Sequence, residues 1–157
     1  MKPARLRRRR RQQPTTRILE GIAAERLVEP SPTVLIPLSQ AAVDEGRPEL
    51  QAMWAALMAN AMVDGGKWVR RDYFAVLRQL EPPDVLVIDM VRRQPEHAVI
   101  DNARRAFLDS EIERLGLPDA ELWISIQKLR RLECLGPTWL GDLTHFARGL
   151  MTACSSV

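Results

Sequence analysis

The sequence predicts a mostly all-α protein, in which a helical N-terminal part precedes a winged-helix-like C-terminal unit with a very short β-hairpin. Three observations support this fold class. Leu, Ala, Arg and Met are plentiful while aromatic residues make up only 5% of the chain, a mixture that favours helices over a β-sandwich. Apolar residues recur at helical spacing in several segments. Prolines and glycines separate those segments at short intervals.

Size and composition point to a globular cytoplasmic protein. The chain has 157 residues, of which 46% are hydrophobic and 27% are charged, enough for one sizeable core. No apolar run approaches the roughly 18 to 20 residues that span a bilayer. Only two cysteines are present, and they form no disulfide framework and no CxxC pair, which favours a reducing compartment.

Positive charge is concentrated at the N-terminus. Residues 1–17 contain eight basic and no acidic side chains, while the other 140 residues contain 15 basic and 20 acidic ones. Because consecutive arginines repel one another and do not pack in a core, residues 1–17 are predicted to be a disordered tail. Two interpretations remain open, namely electrostatic binding of nucleic acid or anionic lipid and a solvated leader. The candidate nucleic-acid contacts in the tail are Arg7, Arg8, Arg9, Arg10 and Arg11.

The helical part is predicted to span residues 18–95. Pro30 and Pro32 predict an extended lead-in, and Ser31 is placed to cap a helix that starts at Pro32. Pro37 either kinks this helix or marks its true start.

The strongest helical pattern covers Pro48 to Met62. Its apolar residues fall at i, i+3, i+4, i+7, i+8, i+11 and i+12, and alanines occupy the other face. Small residues let neighbouring helices approach closely, so a central position is predicted. The methionines on the apolar stripe are more typical of a core than of an adaptable binding groove.

Two shorter helices are predicted after the Gly65-Gly66 break. Asp72 is placed to cap a helix over Tyr73–Leu80. The Pro82-Pro83-Asp84 sequence then starts another helix, although residues 85–88 have strand propensity.

The C-terminal half is divided into a connecting helix at residues 96–117, with a break near Ser110, and a winged-helix-like unit at residues 118–157. In that unit, Asp119 to Leu135 corresponds to a recognition helix and Pro137 to Leu143 to the wing. Thr144 is placed to cap the last helix.

No catalytic constellation is visible. The acidic neighbours Asp44 and Glu45 point different ways on a helix, and there is no nucleophile elbow or phosphate loop. His97 and His145 have no metal-ligand spacing. Cys134 and Cys154 lie on apolar faces and are expected to be buried and inert. We therefore expect no enzymatic activity, no metal and no cofactor.

Two further sets of residues are candidate binding residues. Lys128, Arg130 and Arg131 lie largely off the buried stripe of the predicted recognition helix, where they could contact DNA phosphates or bases. A protein-interaction unit or a solvated face fits the same pattern, and the acidic body argues against unaided DNA binding. Trp68, in a glycine-rich turn beside Arg70 and Arg71, is the best candidate for a contact with a protein partner.

Four segments together resemble a bacterial family of unknown molecular function, abortive infection protein alpha. The most specific segment is Leu50 to Met62, which is similar to the family's acidic-apolar helix with its Leu-Leu-Ala-small-Ala-Met ending. The others are Ile22–Pro32, Tyr73–Asp84, which resembles "Phe, apolar stretch, Gln-Leu-Ser-Pro-Asp", and Ile126–Gly136 followed by Leu143-Thr144. Glu81 departs from the usual Ser, which alters a helix cap.

The resemblance implies a role in phage defence, in which an infected cell stops supporting phage production, and it transfers no catalytic residue. The first hypothesis is therefore a non-enzymatic protein that binds a phage or host component. The alternative is a DNA-binding winged-helix regulator that uses the C-terminal helix and the arginine-rich tail.

Overall fold

The computed structural model describes residues 14–94, 101–137 and 142–155. The predicted tail residues Arg7 to Arg11 therefore lie outside the described residues, as do His97 and residues 138–141 of the predicted wing. Within the described ranges the chain forms eight α-helices: α1 at Pro14–Leu19, α2 at Pro32–Asp44, α3 at Pro48–Met62, α4 at Arg71–Leu77, α5 at Pro82–Arg92, α6 at Asp101–Leu115, α7 at Asp119–Arg131 and α8 at His145–Ala153.

Helix α1 begins within the segment that was predicted to be a tail. Residues 14–17, assigned from their composition to the tail, form the first part of α1, which packs against α3. The hydroxyl of Thr15 lies 3.8 Å from the sulfur of Met58 on α3. Proline at the first helical position and partly buried Ile18 and Leu19 explain why the helix forms here.

The segment between α1 and α2 lies along the C-terminal end of α3. A short 3₁₀ turn at Ala24–Arg26 is followed by an antiparallel bridge between Leu27 and Val63. The backbone N–H of Val28 donates to the carbonyl of Met62 at 2.7 Å. The extended lead-in predicted from the prolines is therefore held in place by main-chain hydrogen bonds.

Helix α2 begins at Pro32 and continues through Pro37. Pro37 is exposed, and so is Thr33, whose carbonyl would otherwise pair with the missing N–H. Water can therefore satisfy that carbonyl, which makes the interior proline tolerable. The sequence left two roles open for Pro37, a kink in the helix or its true start. The structure excludes the second role, because the helix begins at Pro32.

Helix α3 is the centre of the molecule, as predicted. It contacts α1, α2, α5 and α8, and its bounds agree with the sequence pattern. Trp54 and Leu57 are fully buried on the apolar stripe, and the small residues Ala55, Ala56 and Ala59 are buried on the opposite side. Met53 is also buried, which places the methionine stripe in the core.

Helix α4 runs from Arg71 to Leu77 and is shorter and earlier than the predicted Tyr73–Leu80. Asp72 lies in its first turn, not at the cap, and its carboxylate pairs with Arg70. Leu80 is buried although it follows the end of the helix. The next element, α5, is a helix from Pro82, which confirms the helical interpretation over the strand alternative.

Helix α6 continues through Ser110, so the predicted break there is wrong. Leu108 is buried, and Ile112 and Leu115 are partly buried at the i+4 and i+7 positions that follow it. This helical spacing and the ion pair between Glu111 and Arg93, which directly follows α5, at 2.9 Å, hold the helix along its length.

Helix α7 ends at Arg131, four residues before the predicted end of the recognition helix. Glu133 adopts a positive φ of 58°, and the N–H of Cys134 donates to the carbonyl of Leu129 at 2.8 Å. The chain therefore reverses direction and enters the predicted wing. Among the described residues, its flanks form one isolated antiparallel bridge, between Leu135 and Leu143.

The described helices share one hydrophobic core. Helix α7 packs on α5, and α8 packs on α3, so side chains from Leu38 to Ala153 belong to the same buried cluster. Thr144 caps α8 as predicted, because its hydroxyl accepts a hydrogen bond from the N–H of Ala147 at 3.1 Å. The division at residues 96–117 stays a prediction, since it adjoins residues outside the description.

Candidate functional site

A groove lies where the turn after α3 meets α8 and the start of α4. Its volume is about 420 Å³, and its lining includes Trp68. We name it the Trp68 groove; it is lined by Arg26, Asn60, Val63, Asp64, Trp68, Val69, Tyr73, Gly149, Thr152 and Ala153. Its size lies within the roughly 300–1,000 Å³ typical of ligand-binding clefts.

The turn that carries Trp68 requires glycine. Gly65 and Gly66 have φ angles of 74° and 67°, which other residues adopt only at a cost. A Cβ on Gly66 would also lie 2.7 Å from the carbonyl oxygen of Ala61. The N–H of Val69 donates to the carbonyl of Gly66 at 2.9 Å, closing the turn around Trp68.

Trp68 is 81% exposed, in agreement with the sequence prediction. Tryptophan side chains carry the largest apolar area of any residue, and leaving one in water forgoes a stabilising burial. Trp54, by contrast, is buried in α3. The position of Trp68 therefore adds little to the core and leaves its indole available for contact.

The floor of the groove joins the C-terminal ends of α3 and α8. The amide nitrogen of Asn60 donates to the carbonyls of Ala153, at 2.9 Å, and Ser155, at 3.0 Å. Tyr73 is buried beside them and makes an edge-to-face contact with Phe146, with ring centroids 5.4 Å apart. These hydrogen bonds and the ring contact join α3, α4 and α8 at the floor of the groove.

An ion pair forms one rim of the groove. The guanidinium of Arg26 donates to the carboxylate of Asp64 at 2.9 Å. This hydrogen bond holds the pKa of Asp64 below its usual value and raises the pKa of Arg26. The pair joins the 3₁₀ turn at residues 24–26 to the turn that carries Trp68.

Three basic side chains lie in the segment that carries Trp68, beside the groove but not in its lining. Lys67 is exposed and forms no ion pair with the described residues. Arg70 is exposed and pairs with Asp72 at 3.3 Å, and exposed Arg71 donates to the Thr33 hydroxyl at 3.3 Å. The predicted partner-binding residues Trp68, Arg70 and Arg71 therefore all lie on the surface in one segment.

The predicted DNA-contacting residues of α7 do not form one exposed set. Lys128 is only 14% exposed at its side chain, and its ammonium lies 2.8 Å from the carboxylate of Asp84 and 2.9 Å from that of Glu81. Burial lowers the pKa of Lys128, but the hydrogen bonds to these carboxylates outweigh it and leave the pKa raised. Its charge is therefore satisfied within the protein. Arg130 is half-buried and Arg131 is exposed.

The solvent-facing side of α7 is more apolar than the sequence suggested. Trp123 is 43% exposed, and Ile124 is exposed beside it. Gln127 and Arg131 continue this face at helical spacing. A face with two large apolar groups and one arginine suits a protein contact better than a DNA phosphate backbone.

Cys134 is buried, as predicted, and Cys154 is partly buried. Burial raises the pKa of Cys134 to about 11 and that of Cys154 to about 12, so neither is a thiolate at neutral pH. Within residues 14–94, 101–137 and 142–155, no group of three His, Cys, Asp or Glu side chains is arranged to hold a metal ion. In the same ranges, no helix is long and apolar enough to cross a membrane.

The sequence profile described as abortive infection alpha matches residues 4–154, nearly the whole chain. The chain belongs to the abortive infection alpha family. No curated protein and no solved structure gives a significant match.

One departure of this abortive infection alpha protein from the family pattern now has a structural explanation. Glu81, in place of the usual Ser, precedes α5, and its N–H donates to the carboxylate of Asp84 at 2.7 Å. Its own carboxylate binds Lys128, and this hydrogen bond lowers the pKa of Glu81. The substitution therefore adds a second carboxylate to the contact between α5 and α7.

Sequence reasoning missed several residues of the groove. Arg26 and Asp64 are 38 residues apart and meet only through the Leu27–Val63 bridge. Asn60 carried one available signal, because it is a polar residue inside an otherwise apolar and small-residue pattern in α3. Tyr73 and Gly149 carried no signal, since the sequence does not show that α4 and α8 approach each other.

Proposed function

We propose that this chain is a non-enzymatic phage-defence protein of the bacterial cytoplasm, which acts by binding a phage or host component at the Trp68 groove. The observation that carries the proposal is the exposed indole of Trp68, held by a glycine turn at the edge of a preformed groove. Tryptophan and arginine are enriched among the few residues that contribute most of the binding energy at protein interfaces. Membership of the abortive infection alpha family supplies the biological setting.

The test is survival of infection in a laboratory bacterial host that expresses the chain, challenged with a panel of phages. Trp68→Ala should abolish protection while leaving the amount of folded protein unchanged. Val43→Ala is the control, because Val43 is an apolar side chain on α2 that is as exposed as Trp68 and does not line the groove. Full protection by Trp68→Ala would overturn the proposal.

The alternative is a DNA-binding winged-helix regulator. It is supported by the order of α7, the Leu135–Leu143 bridge and α8, which is the order of elements at the end of a winged helix, and by the basic tail. The inward orientation of Lys128 weakens it. Measurement of duplex DNA binding across a salt series decides between the two functions. The natural chain should be compared with Arg131→Ala and with a chain in which Arg7 to Arg11 are replaced by Gln.

Affinity that falls steeply with salt and requires Arg131 would favour the regulator. Affinity that requires only the arginine tail would indicate nonspecific attachment. No binding by the natural chain would leave the protein-binding function as the single candidate.

A further inference from the structure

We propose that the Trp68 groove accepts an acidic, apolar segment of a partner polypeptide, with one aromatic or aliphatic side chain in the groove and carboxylates against Lys67 and Arg70. This inference rests on the proposed function and names the chemistry of its partner. It is supported by the shape of the groove, by the apolar side chains that line it and by the net positive charge of the segment that carries Trp68.

The walls select an apolar side chain. Most of the groove's lining surface is apolar, although Arg26, Asp64 and Thr152 also contribute polar groups. The amide nitrogen of Asn60 already donates to the carbonyls of α8, so that donor is not available to a polar guest. An apolar guest buries its own surface and covers the exposed indole of Trp68.

The segment that carries Trp68 selects acidic neighbours for that side chain. Residues 64–72 hold the three cations Lys67, Arg70 and Arg71 and the two anions Asp64 and Asp72, and Asp64 is already paired with Arg26. The segment is thus net positive on a body whose residues 18–157 carry 15 basic and 20 acidic side chains. A carboxylate beside the apolar anchor would meet the ammonium of Lys67, which has no ion-pair partner among the described residues.

The interior of the groove is unfavourable for a phosphate, which argues against nucleic acid. Helices α3 and α8 both bring their C-terminal ends to it, at Met62 and Ala153, and helix C-termini carry partial negative charge. The cations therefore attract an acidic partner to the edge, while an uncharged side chain enters the cavity.

The experiment is selection of a displayed random twelve-residue peptide library on the full-length chain, with the Trp68→Ala chain used to remove peptides that bind elsewhere. The recovered sequences should combine an aromatic or aliphatic residue with neighbouring Asp or Glu. Synthetic versions should bind at least tenfold more weakly to Trp68→Ala, a loss of about 1.4 kcal/mol, while Val43→Ala should bind them normally.

Charge reversal separates recognition from a structural effect. The double variant Lys67→Glu/Arg70→Glu should bind the acidic peptides at least tenfold more weakly than the natural chain does. It should also bind versions of these peptides in which Asp and Glu are replaced by Lys. A merely misfolded variant would bind neither version. Recovery of basic or uncharged peptides, or binding that ignores the charge reversal, would overturn the inference.

The remaining outcomes are also decisive. A twelve-residue oligothymidylate that binds more tightly than any selected peptide, and loses binding in Trp68→Ala, would replace the acidic polypeptide with single-stranded nucleic acid. If no recovered peptide depends on Trp68 while Trp68→Ala still loses phage protection, the acidic-segment inference fails and the proposed function stands. If Trp68→Ala protects fully, the proposed function itself fails.

Discussion

Two regions of the molecule use the same kinds of charged residue in opposite ways. One is the contact between α5 and α7, and the other is the Trp68 groove. In the first, Asp84 is 1% exposed and Lys128 is bonded to it at 2.8 Å. In the second, Arg26 and Asp64 pair at 2.9 Å while their side chains remain 54% and 38% exposed. The first pair joins two helices inside the protein, whereas the second lies at the rim of a surface groove.

This difference matters because the energetics of ion pairs depend on burial. Exposed pairs contribute at most about 1 kcal/mol, since water and salt screen them. Removing one partner of a buried pair is far more costly, since the other charge is left without water or a counter-ion. A cationic residue on a helix is therefore a binding candidate only when the fold leaves it outside, as it does for Lys67 and not for Lys128.

The largest effect is expected from Lys128→Ala. It leaves the buried Asp84 carboxylate unpaired, and the free energy of unfolding should fall by about 3–5 kcal/mol. Urea unfolding followed by circular dichroism measures this. Arg131→Ala, in the same helix turn but exposed, should change stability by less than about 0.5 kcal/mol. Equal losses in the two variants would show that the α5–α7 pair behaves like a surface pair.

Gly66→Ala should have the next largest effect. The positive φ of Gly66 and the approach to the Ala61 carbonyl predict a destabilisation of about 1–3 kcal/mol. Thermal unfolding of this variant should be compared with that of Gly46→Ala, where an added Cβ meets nothing within 4 Å. If Gly66→Ala is as stable as the control, the turn that carries Trp68 is not fixed by its glycines.

Glu45 and Arg47 are an intermediate case between the two regions. Both residues lie just before the start of α3. Hydrogen bonding to the guanidinium and N–H of Arg47 lowers the pKa of Glu45 to about 2. A lowered folded-state pKa gives stability that is present above the unfolded value of about 4.3 and is lost as the pH falls through the folded value of about 2.

Glu45→Gln should therefore lower stability by about 1 kcal/mol at pH 7 and should flatten its decline between roughly pH 5 and pH 2. Urea midpoints measured across that range are the readout, with Glu113→Gln, at an exposed position of α6, as the control. If the stability of Glu45→Gln falls with pH as steeply as that of the natural chain, the result would contradict the lowered pKa assigned to Glu45.

Trp68→Ala should have the smallest effect on stability. Because its indole is 81% exposed, the free energy of unfolding should stay within about 0.5 kcal/mol of the natural chain. The expected loss of phage protection would then come from binding and not from folding. A destabilisation above about 2 kcal/mol, of the size seen when a core side chain is truncated, would show that Trp68 supports the fold and would weaken its assignment as a contact residue.

The sequence alone determined the elements whose signals are local. Helix α3 begins and ends where its apolar period predicts, because a proline starts it and a continuous stripe of large residues runs along it. Thr144 caps α8 because a threonine hydroxyl satisfies a free N–H within three residues. The exposure of Trp68 follows from its position in a glycine turn, where no neighbouring helix turn can cover it.

The tertiary structure decided what depends on contacts between distant residues. Lys128 is on the polar side of α7 by its spacing, yet α5 brings Asp84 and Glu81 to it and turns its charge inward. The groove itself exists because Leu27 pairs with Val63 and because α8 packs against α3. Residue spacing fixes which side chains share a helix face, but the packing of helices far apart in the chain fixes which of those faces remains in water.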